Sequence, residues 1–258
     1  MSTSAKAQFD KQAALYDNRW ANWSDATLQQ MLIWADPHPA WRVLDVATGT
    51  GYTALALAPH VAHVTGCDVS PNMLAQAARQ AQEQGIANVA WQEAWAESLP
   101  FSDAAFDLVT VRIAPHHFRN VRAFLGETRR VLKPQGVFVL GDTTVPDDEP
   151  AVAEWQNAVE RLRDTSHVAN LSARAWRELT EDAGLRVSAV ETQTGEIKLT
   201  LSAWLAVAGC DGDRAAQVHQ MFADASDDAR RAFHITTDTA GETHFAWQRV
   251  LLKAHRPA

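Results

Sequence analysis

"VLDVATGTGYT", residues 43–53, decides how this chain folds. An apolar run ends on a carboxylate, Asp45, and drops at once into a turn carrying Gly49 and Gly51. A strand-to-helix turn of this kind needs positive φ angles and close backbone approach to a ligand, and side chains obstruct both. Two spacings fit. Counted from Gly49, the residues Gly49, Gly51 and Ala54 give the G-x-G-x-x-A form of a dinucleotide-binding turn. Counted from Asp45, the stretch reads D-x-A-x-G-x-G, with Ala47 at the third position. Asp45 separates the two. A pyrophosphate lies against the helix N-terminus and is repelled by a neighbouring carboxylate, whereas a cationic, amino-bearing ligand is attracted by one. An Asp45 that merely accepts hydrogen bonds from its own loop is compatible with the same role. Asp68 ends the next apolar run, 19 residues after Gly49, where a carboxylate can accept both hydroxyls of a ribose.

Outward from that turn the pattern alternates. Strands are expected at Arg42–Val46, His63–Asp68, Val89–Gln92, Phe106–Arg112 and Gly136–Asp142, separated by helices or turns. This predicts an α/β fold: a doubly wound, Rossmann-like, mostly parallel sheet covered on both faces. Upstream, apolar residues at helical spacing from Ala5 to about Ala35 predict two helices broken near Asn22, with "DPHPAW" ending the second. Downstream of Asp142, "TVPDDEPAVAEWQNAVERLRD" turns into an amphipathic helix, and "SARAWRELTEDAG" has a serine cap and a terminal glycine. A strand at Leu185–Thr192, helical sequence over 200–232 and a C-terminal antiparallel hairpin around Ala240 and Gly241 complete the reading. The organisation expected is a helical lid over 1–40, a cofactor-binding core over 41–145, and over 146–258 the completion of the sheet with a helical cap, all in one domain.

A formal charge of −8 in 258 residues argues against nucleic acid or anionic membrane surfaces as partners, because both need clustered Lys and Arg. Small molecules are expected instead. The two cysteines, Cys67 and Cys210, lie far apart without a metal-binding pattern, so no metal is expected and a reducing, cytoplasmic setting is. The first dozen residues lack a secretory pattern, and no apolar run has membrane-spanning length.

After the glycine turn come, in order, "GCDVSPNML" (66–74), "AESLPFSDAAFDLVTVR" (96–112) and "RVLKPQGVFVLGD" (130–142). Together with D-x-A-x-G-x-G, this set over roughly residues 40–142 resembles the class I S-adenosylmethionine-dependent methyltransferases, particularly the small-molecule branch that includes the ubiquinone and menaquinone C-methyltransferases. A bacterial subgroup of poorly defined substrate also carries H-H-F and R-D-x-S-H-V, matched here by His116–Phe118 and Arg163–Val168. The resemblance implies S-adenosyl-L-methionine as cofactor. It implies that Asp45, Ala47, Thr48, Gly49 and Gly51 surround the methionine part, that Asp68 holds the ribose, that Val69 and Met73 flank the adenine, and that Arg112 belongs to the same site. "AWAESLPF" (94–101) corresponds to a family segment often reading G-D-A-E-x-L-P-F, so Trp95 stands where an Asp meets the adenine amino group. A stacked indole or a donor from Ala96 would replace that contact.

A sulfonium already activates the methyl group, so the protein must supply alignment and a deprotonated acceptor. His116 and His117 follow the fourth strand at the carboxyl edge, where ligands of open α/β sheets sit, and titrate in the right range for a base. One of them is expected to be catalytic, His117 before His116, the other packing or capping. Tyr16, Arg19 and Trp20 in the lid, and Arg163 with His167 downstream, are candidates for holding the acceptor. Asp142 could face the same cleft or simply cap a loop. Ten tryptophans, among them Trp155, Trp176 and Trp204, suggest an aromatic-lined pocket and an apolar or aromatic acceptor, although most tryptophans only build core. Two alternatives stay open: a protein that keeps the cofactor fold for binding or a non-methylating reaction, and a nicotinamide-dependent oxidoreductase. The second lacks a Tyr-x-x-x-Lys pair, since neither Tyr16 nor Tyr52 has Lys four residues on.

Overall fold

The computed structural model describes residues 19–194 and 199–258. Its elements are α1 (Arg19–Ala35), β1 (Arg42–Val46), α2 (Tyr52–Leu57), β2 (His63–Asp68), α3 (Pro71–Glu83), β3 (Val89–Glu93), β4 (Phe106–Arg112), α4 (Val121–Val131) and β5 (Leu132–Thr144). They continue with α5 (Pro150–Arg163), α6 (Ala173–Asp182), β6 (Arg186–Thr194), β7 (Leu199–Thr200), α7 (Leu201–Ala208), α8 (Gly212–Ala223), α9 (Asp227–Ala232), β8 (Thr236–Thr237), β9 (Thr243–Phe245) and β10 (Gln248–His255). The first expected helix and Tyr16 lie outside the described residues. The second helix runs through Asn22 without the expected break, since neither proline nor glycine interrupts it there.

Seven strands form one sheet in the order β3-β2-β1-β4-β5-β10-β6. β1 to β5 are parallel, and β10 runs antiparallel between β5 and β6. Parallel strands buried on both faces send alternate side chains to two cores. Leu44, Val109, Leu140 and Leu252 pack on one face with Phe124 of α4 and Trp176 of α6. Val43, Leu108, Val139 and Leu251 pack on the other with Met31 of α1 and Leu57 of α2. The strand order reverses direction between β1 and β4, which opens a crevice at their carboxyl ends.

The expected hairpin is present, but its arms are only β8 and β9, which join β7 in a separate three-stranded sheet. β10 leaves the hairpin and enters the main sheet, because Val250, Leu251, Leu252 and Ala254 are apolar toward both faces and need cover on both. The helical stretch over 200–232 is three short helices, the first ended by Gly209 in the left-handed conformation. With α5 these helices enclose a third core of their own, containing Trp204, Phe222, Phe233, Phe245 and Trp247.

Candidate active site

The turn after β1 has three left-handed residues in alternation, Ala47 (φ 52°), Gly49 (φ 55°) and Gly51 (φ 85°). Ala47 keeps the conformation of the glycine more usual at that spacing, at a cost of roughly 1–2 kcal/mol for an L-residue. The two glycines do different jobs. A Cβ on Gly49 would meet nothing within 4 Å, so its missing side chain leaves the backbone open to the crevice. A Cβ on Gly51 would lie 2.8 Å from the Trp91 ring and 3.0 Å from Ala77 Cβ, so there the absent side chain lets α2 pack against β3 and α3.

Asp45 is buried at the end of β1, 1% exposed. One carboxylate oxygen accepts from the Thr48 hydroxyl at 2.6 Å, the other from Thr110 of β4 at 2.7 Å. Thr110 is the direct register partner of Asp45, so strand pairing itself delivers that hydroxyl. Burial pushes the Asp45 carboxyl up to about 6, partly offset by these two bonds and by the charge of Arg112. Arg112 reaches from β4 to α2, where its Nε donates to Thr53 Oγ1 at 2.9 Å and its guanidinium lies 5.2 Å from the Tyr52 ring centre.

Asp68, at the end of β2, accepts the Gly49 N–H at 2.9 Å on one oxygen and the Ser70 N–H at 2.9 Å on the other. Ser70 caps α3 by accepting the Met73 N–H, and Met73 itself is buried, while Val69 is half-buried beside it. Trp95 is 46% exposed and the following Ala96 is buried.

Beyond β4 the chain turns sharply at Ile113 (φ 51°), a strained value for a β-branched residue. That turn swings residues 115–117 over the end of β5, where Asp142 clasps His116. The His116 backbone N–H donates to Asp142 Oδ2 at 3.0 Å, and Nδ1 donates to Oδ1 at 2.7 Å. Burial alone pulls a histidine down. The Asp142 charge and hydrogen bond outweigh it and hold His116 above its ordinary value.

Three imidazoles gather here: His116 and His117 are 4.2 Å apart between ring centres, and His116 and His167 are 5.5 Å apart. Their partners fix the tautomers. Ser166 Oγ commits its only proton to Asp164 at 2.6 Å, so it accepts from His117 Nδ1 at 3.1 Å. Asn157 Oδ1 accepts the Asn170 N–H at 2.7 Å, so the contact at 3.0 Å from His167 Nε2 is a second donor to the same oxygen. Burial and the neighbouring His116 charge push His117 down to about 3 and His167 to about 2, so both stay neutral.

The carboxyl ends of β1, β2 and β4 thus carry the cofactor candidates, and the segment that follows β4 carries His116 and His117. Arg163 is buried close enough to the histidines for its charge to help lower His117 and His167, while its Nε donates to the Trp204 carbonyl at 3.1 Å and its guanidinium sits 4.3 Å from that indole, tying α5 to α7. Trp176 and Trp204 are buried inside cores, and Trp155 is partly buried against the third core. Arg19 and Trp20 stand on the first turn of α1. Thr110, Thr53, Asn157, Glu160 and Arg249 were not singled out by sequence. Only Ser166 carried a signal, inside R-D-x-S-H-V. Among the described residues no His, Cys, Asp and Glu cluster is arranged to hold a metal, and no helix is long and apolar enough to cross a membrane.

A family described as a methyltransferase domain matches residues 43–136, the span that holds this turn, Asp68 and the His116 segment. Over 234 residues the chain is 37% identical to the uncharacterized methyltransferase YcgJ of Bacillus subtilis, covering 91% of each chain. This chain belongs to the class I S-adenosylmethionine-dependent methyltransferases. The crystal structure of YcgJ superposes with a TM-score of 0.86 over 91% of this methyltransferase and 99% of that chain, at 35% identity. The uncharacterized protein YafE of Escherichia coli is 32% identical over 81% of this methyltransferase and 97% of its own length. The ubiquinone/menaquinone C-methyltransferase UbiE of Brucella anthropi is 35% identical over 54% of this chain and 56% of its own, so that likeness is partial.

Proposed function

We propose that this methyltransferase methylates a small acceptor whose proton is removed by His116, held in place by Asp142. The observation that carries this is the two-point clasp of Asp142 on His116, which directs Nδ1–H to the carboxylate and leaves Nε2 as the nitrogen that takes up a proton. The sequence ranked His117 first. Its low proton affinity fits a neutral hydrogen-bonding neighbour better than a base.

The crevice suits S-adenosylmethionine. The open space over Gly49, the left-handed turn and the buried Asp68 carboxylate at the end of β2 suit an aminoacyl chain and a ribose diol. Ala47, Thr48, Gly49 and Gly51 would shape the loop around the methionine end, Asp68 would hold the ribose, and Val69, Met73, Trp95 and Ala96 would border the adenine. Asp45 and Arg112 act from beneath and beside the loop through charge. When bound, the cofactor supplies an activated methyl group; the chain's residues align the acceptor, exclude water and take the proton. Tyr16, Arg19 and Trp20 remain candidates from the sequence for holding the acceptor, as does His167 beside His116, with Arg163 bracing α5 against α7. The net charge of −8 supports a small-molecule acceptor over nucleic acid, and two buried free cysteines suit a reducing cytoplasm.

Calorimetric titration tests the cofactor half of this reading. S-adenosylhomocysteine should bind, NAD should not, and Asp68→Ala should weaken the former by about 2–3 kcal/mol through loss of charge-assisted hydrogen bonds. NAD binding without any response to the adenosyl compounds would overturn it.

A further inference from the structure

Between α5 and the segment that follows it, two primary amides are buried with nothing to bond. Gln156 is fully buried on α5, and neither Oε1 nor Nε2 has a partner. Asn170 is 3% exposed, and neither Oδ1 nor Nδ2 has one. The other unpartnered buried polar atoms among the described residues are single hydroxyl or indole groups. Among the described residues, only here are both the donor and the acceptor ends of a buried amide left open. Such groups are nearly always satisfied, and each one that is not calls for an explanation.

Their placement supplies one. Asn170 is rigidly held: its N–H and C=O both pair with the side chain of Asn157, which is the neighbour of Gln156 on α5. The next residues are pinned to the end of β5, where Thr144 Oγ1 donates to the Leu171 carbonyl at 2.8 Å and Val145 bridges Ser172. That point is two to three residues beyond Asp142, the clasp of His116. Asn157 also accepts from His167, whose ring stacks on His116. One turn along α5 from Gln156, Glu160 is buried within electrostatic reach of His116 and Arg249. Both open amides therefore lie on the segments that hold the histidine cluster.

We propose that Gln156 and Asn170 anchor the non-reacting edge of the methyl acceptor, and that this edge is uncharged and carries a donor beside an acceptor, as in a carboxamide or lactam. The inference rests on the methyl-transfer reading above and adds the class of substrate. Neutrality follows from the surroundings. The buried acids Asp142 and Asp164 are matched by Arg249 and Arg163, and burial favours the neutral form of Glu160, so with His116 neutral as a base no charge is left over to meet an ion. The donor-plus-acceptor edge follows from the amides, each of which offers both. This differs from the expectation of an apolar or aromatic acceptor, which leaned in part on Trp176 and Trp204, both buried in cores.

Thermal unfolding separates a ligand anchor from a structural role. Gln156→Met and Asn170→Leu keep the approximate shape and remove groups that gain nothing in the unliganded protein, so each should raise Tm by about 2–6 °C. Affinity for S-adenosylhomocysteine should be unchanged. In protein saturated with S-adenosylhomocysteine, millimolar benzamide or 2-pyridone should raise Tm further, toluene should not, and both variants should lose the benzamide and 2-pyridone response. A fall or no rise in Tm in the variants would make the amides structural. Toluene matching or exceeding the polar probes, or no response to them at all, would overturn the substrate class. Failure of the unmodified protein to bind S-adenosylhomocysteine would instead refute the methyl-transfer reading, independently of these shifts.

Discussion

Alanine at Gly51 should destabilise the fold, whereas alanine at Gly49 should spare the fold and weaken cofactor binding. Both positions are left-handed, at φ 85° and 55°, which costs a side-chain-bearing residue roughly 1–2 kcal/mol. At Gly49 that is the whole cost, since the new methyl meets nothing within 4 Å. At Gly51 the methyl would be driven to 2.8 Å from Trp91 and 3.0 Å from Ala77. Neither can retreat. Ala77 is fully buried in α3, and the Trp91 ring is already so close to Gly66 that a Cβ there would lie 2.5 Å away. Overpacking of this kind adds about 1–3 kcal/mol, giving a total of roughly 2–5 kcal/mol. For a chain of this size that corresponds to a Tm loss of roughly 5–15 °C for Gly51→Ala against about 2–6 °C for Gly49→Ala. Circular dichroism melts measure the first effect, and calorimetry with S-adenosylhomocysteine the second: Gly49→Ala should lose about tenfold or more in affinity, equivalent to about 1.4 kcal/mol, with Gly51→Ala near normal at low temperature. Trp91→Leu should recover part of the Gly51→Ala loss, because the two sites share one contact. Equal Tm losses in the two alanine variants, or equal affinity losses, would refute the division of labour.

Asp45 predicts a pH dependence. Its folded carboxyl, raised to about 6, keeps a proton that the unfolded chain has already released, so stability should fall by about 3 kcal/mol as pH rises from about 4 to 6. Over the same range S-adenosylhomocysteine affinity should rise about tenfold per pH unit up to 6, and Asp45→Asn should flatten both slopes, as melts and calorimetry across pH will show. Asp142→Asn should lower the proton affinity of His116, move the acidic limb of kcat/KM to lower pH and reduce the plateau by 10²–10⁴-fold, roughly. The stability that Asp142 lends His116 is present below pH ~6.5 and fades as pH rises through the raised folded value, so the variant should be weakest in acid. An unmoved His116 titration by nuclear magnetic resonance would contradict this. Trp95→Ala should weaken S-adenosylhomocysteine by about 1 kcal/mol through lost stacking, with Tm unchanged because the ring is half exposed; unaltered affinity would remove Trp95 from the site.

Much of the architecture was legible because it is governed by local pattern. The apolar runs over 42–46, 63–68 and 106–112 become strands at those positions, and Ser70 and Ser172 cap their helices as their residue type dictates. Less legible was the C-terminal third. Nothing in "WQRVLLKAH" says whether it pairs with its own hairpin or crosses to the main sheet, since both satisfy the backbone and only the sheet covers both apolar faces. Within the site, Asp68 and the glycine turn stand out because their spacing is short and regular. The partners of Asp45, His117 and His167 do not, because Thr110 lies 65 residues from Asp45 and Ser166 lies 49 from His117.

Residue order alone determined that an anion-tipped strand would run into a left-handed turn and that a second carboxylate would end the next strand, because both depend on neighbours in the chain. Tertiary packing alone decided which glycine faces the crevice and which faces Trp91, that Asp142 makes His116 rather than His117 the stronger base, and that Gln156 and Asn170 are buried with open amides. Those outcomes depend on what distant segments bring to within a few ångströms, and burial and charge at that range outweigh any intrinsic property of the side chain.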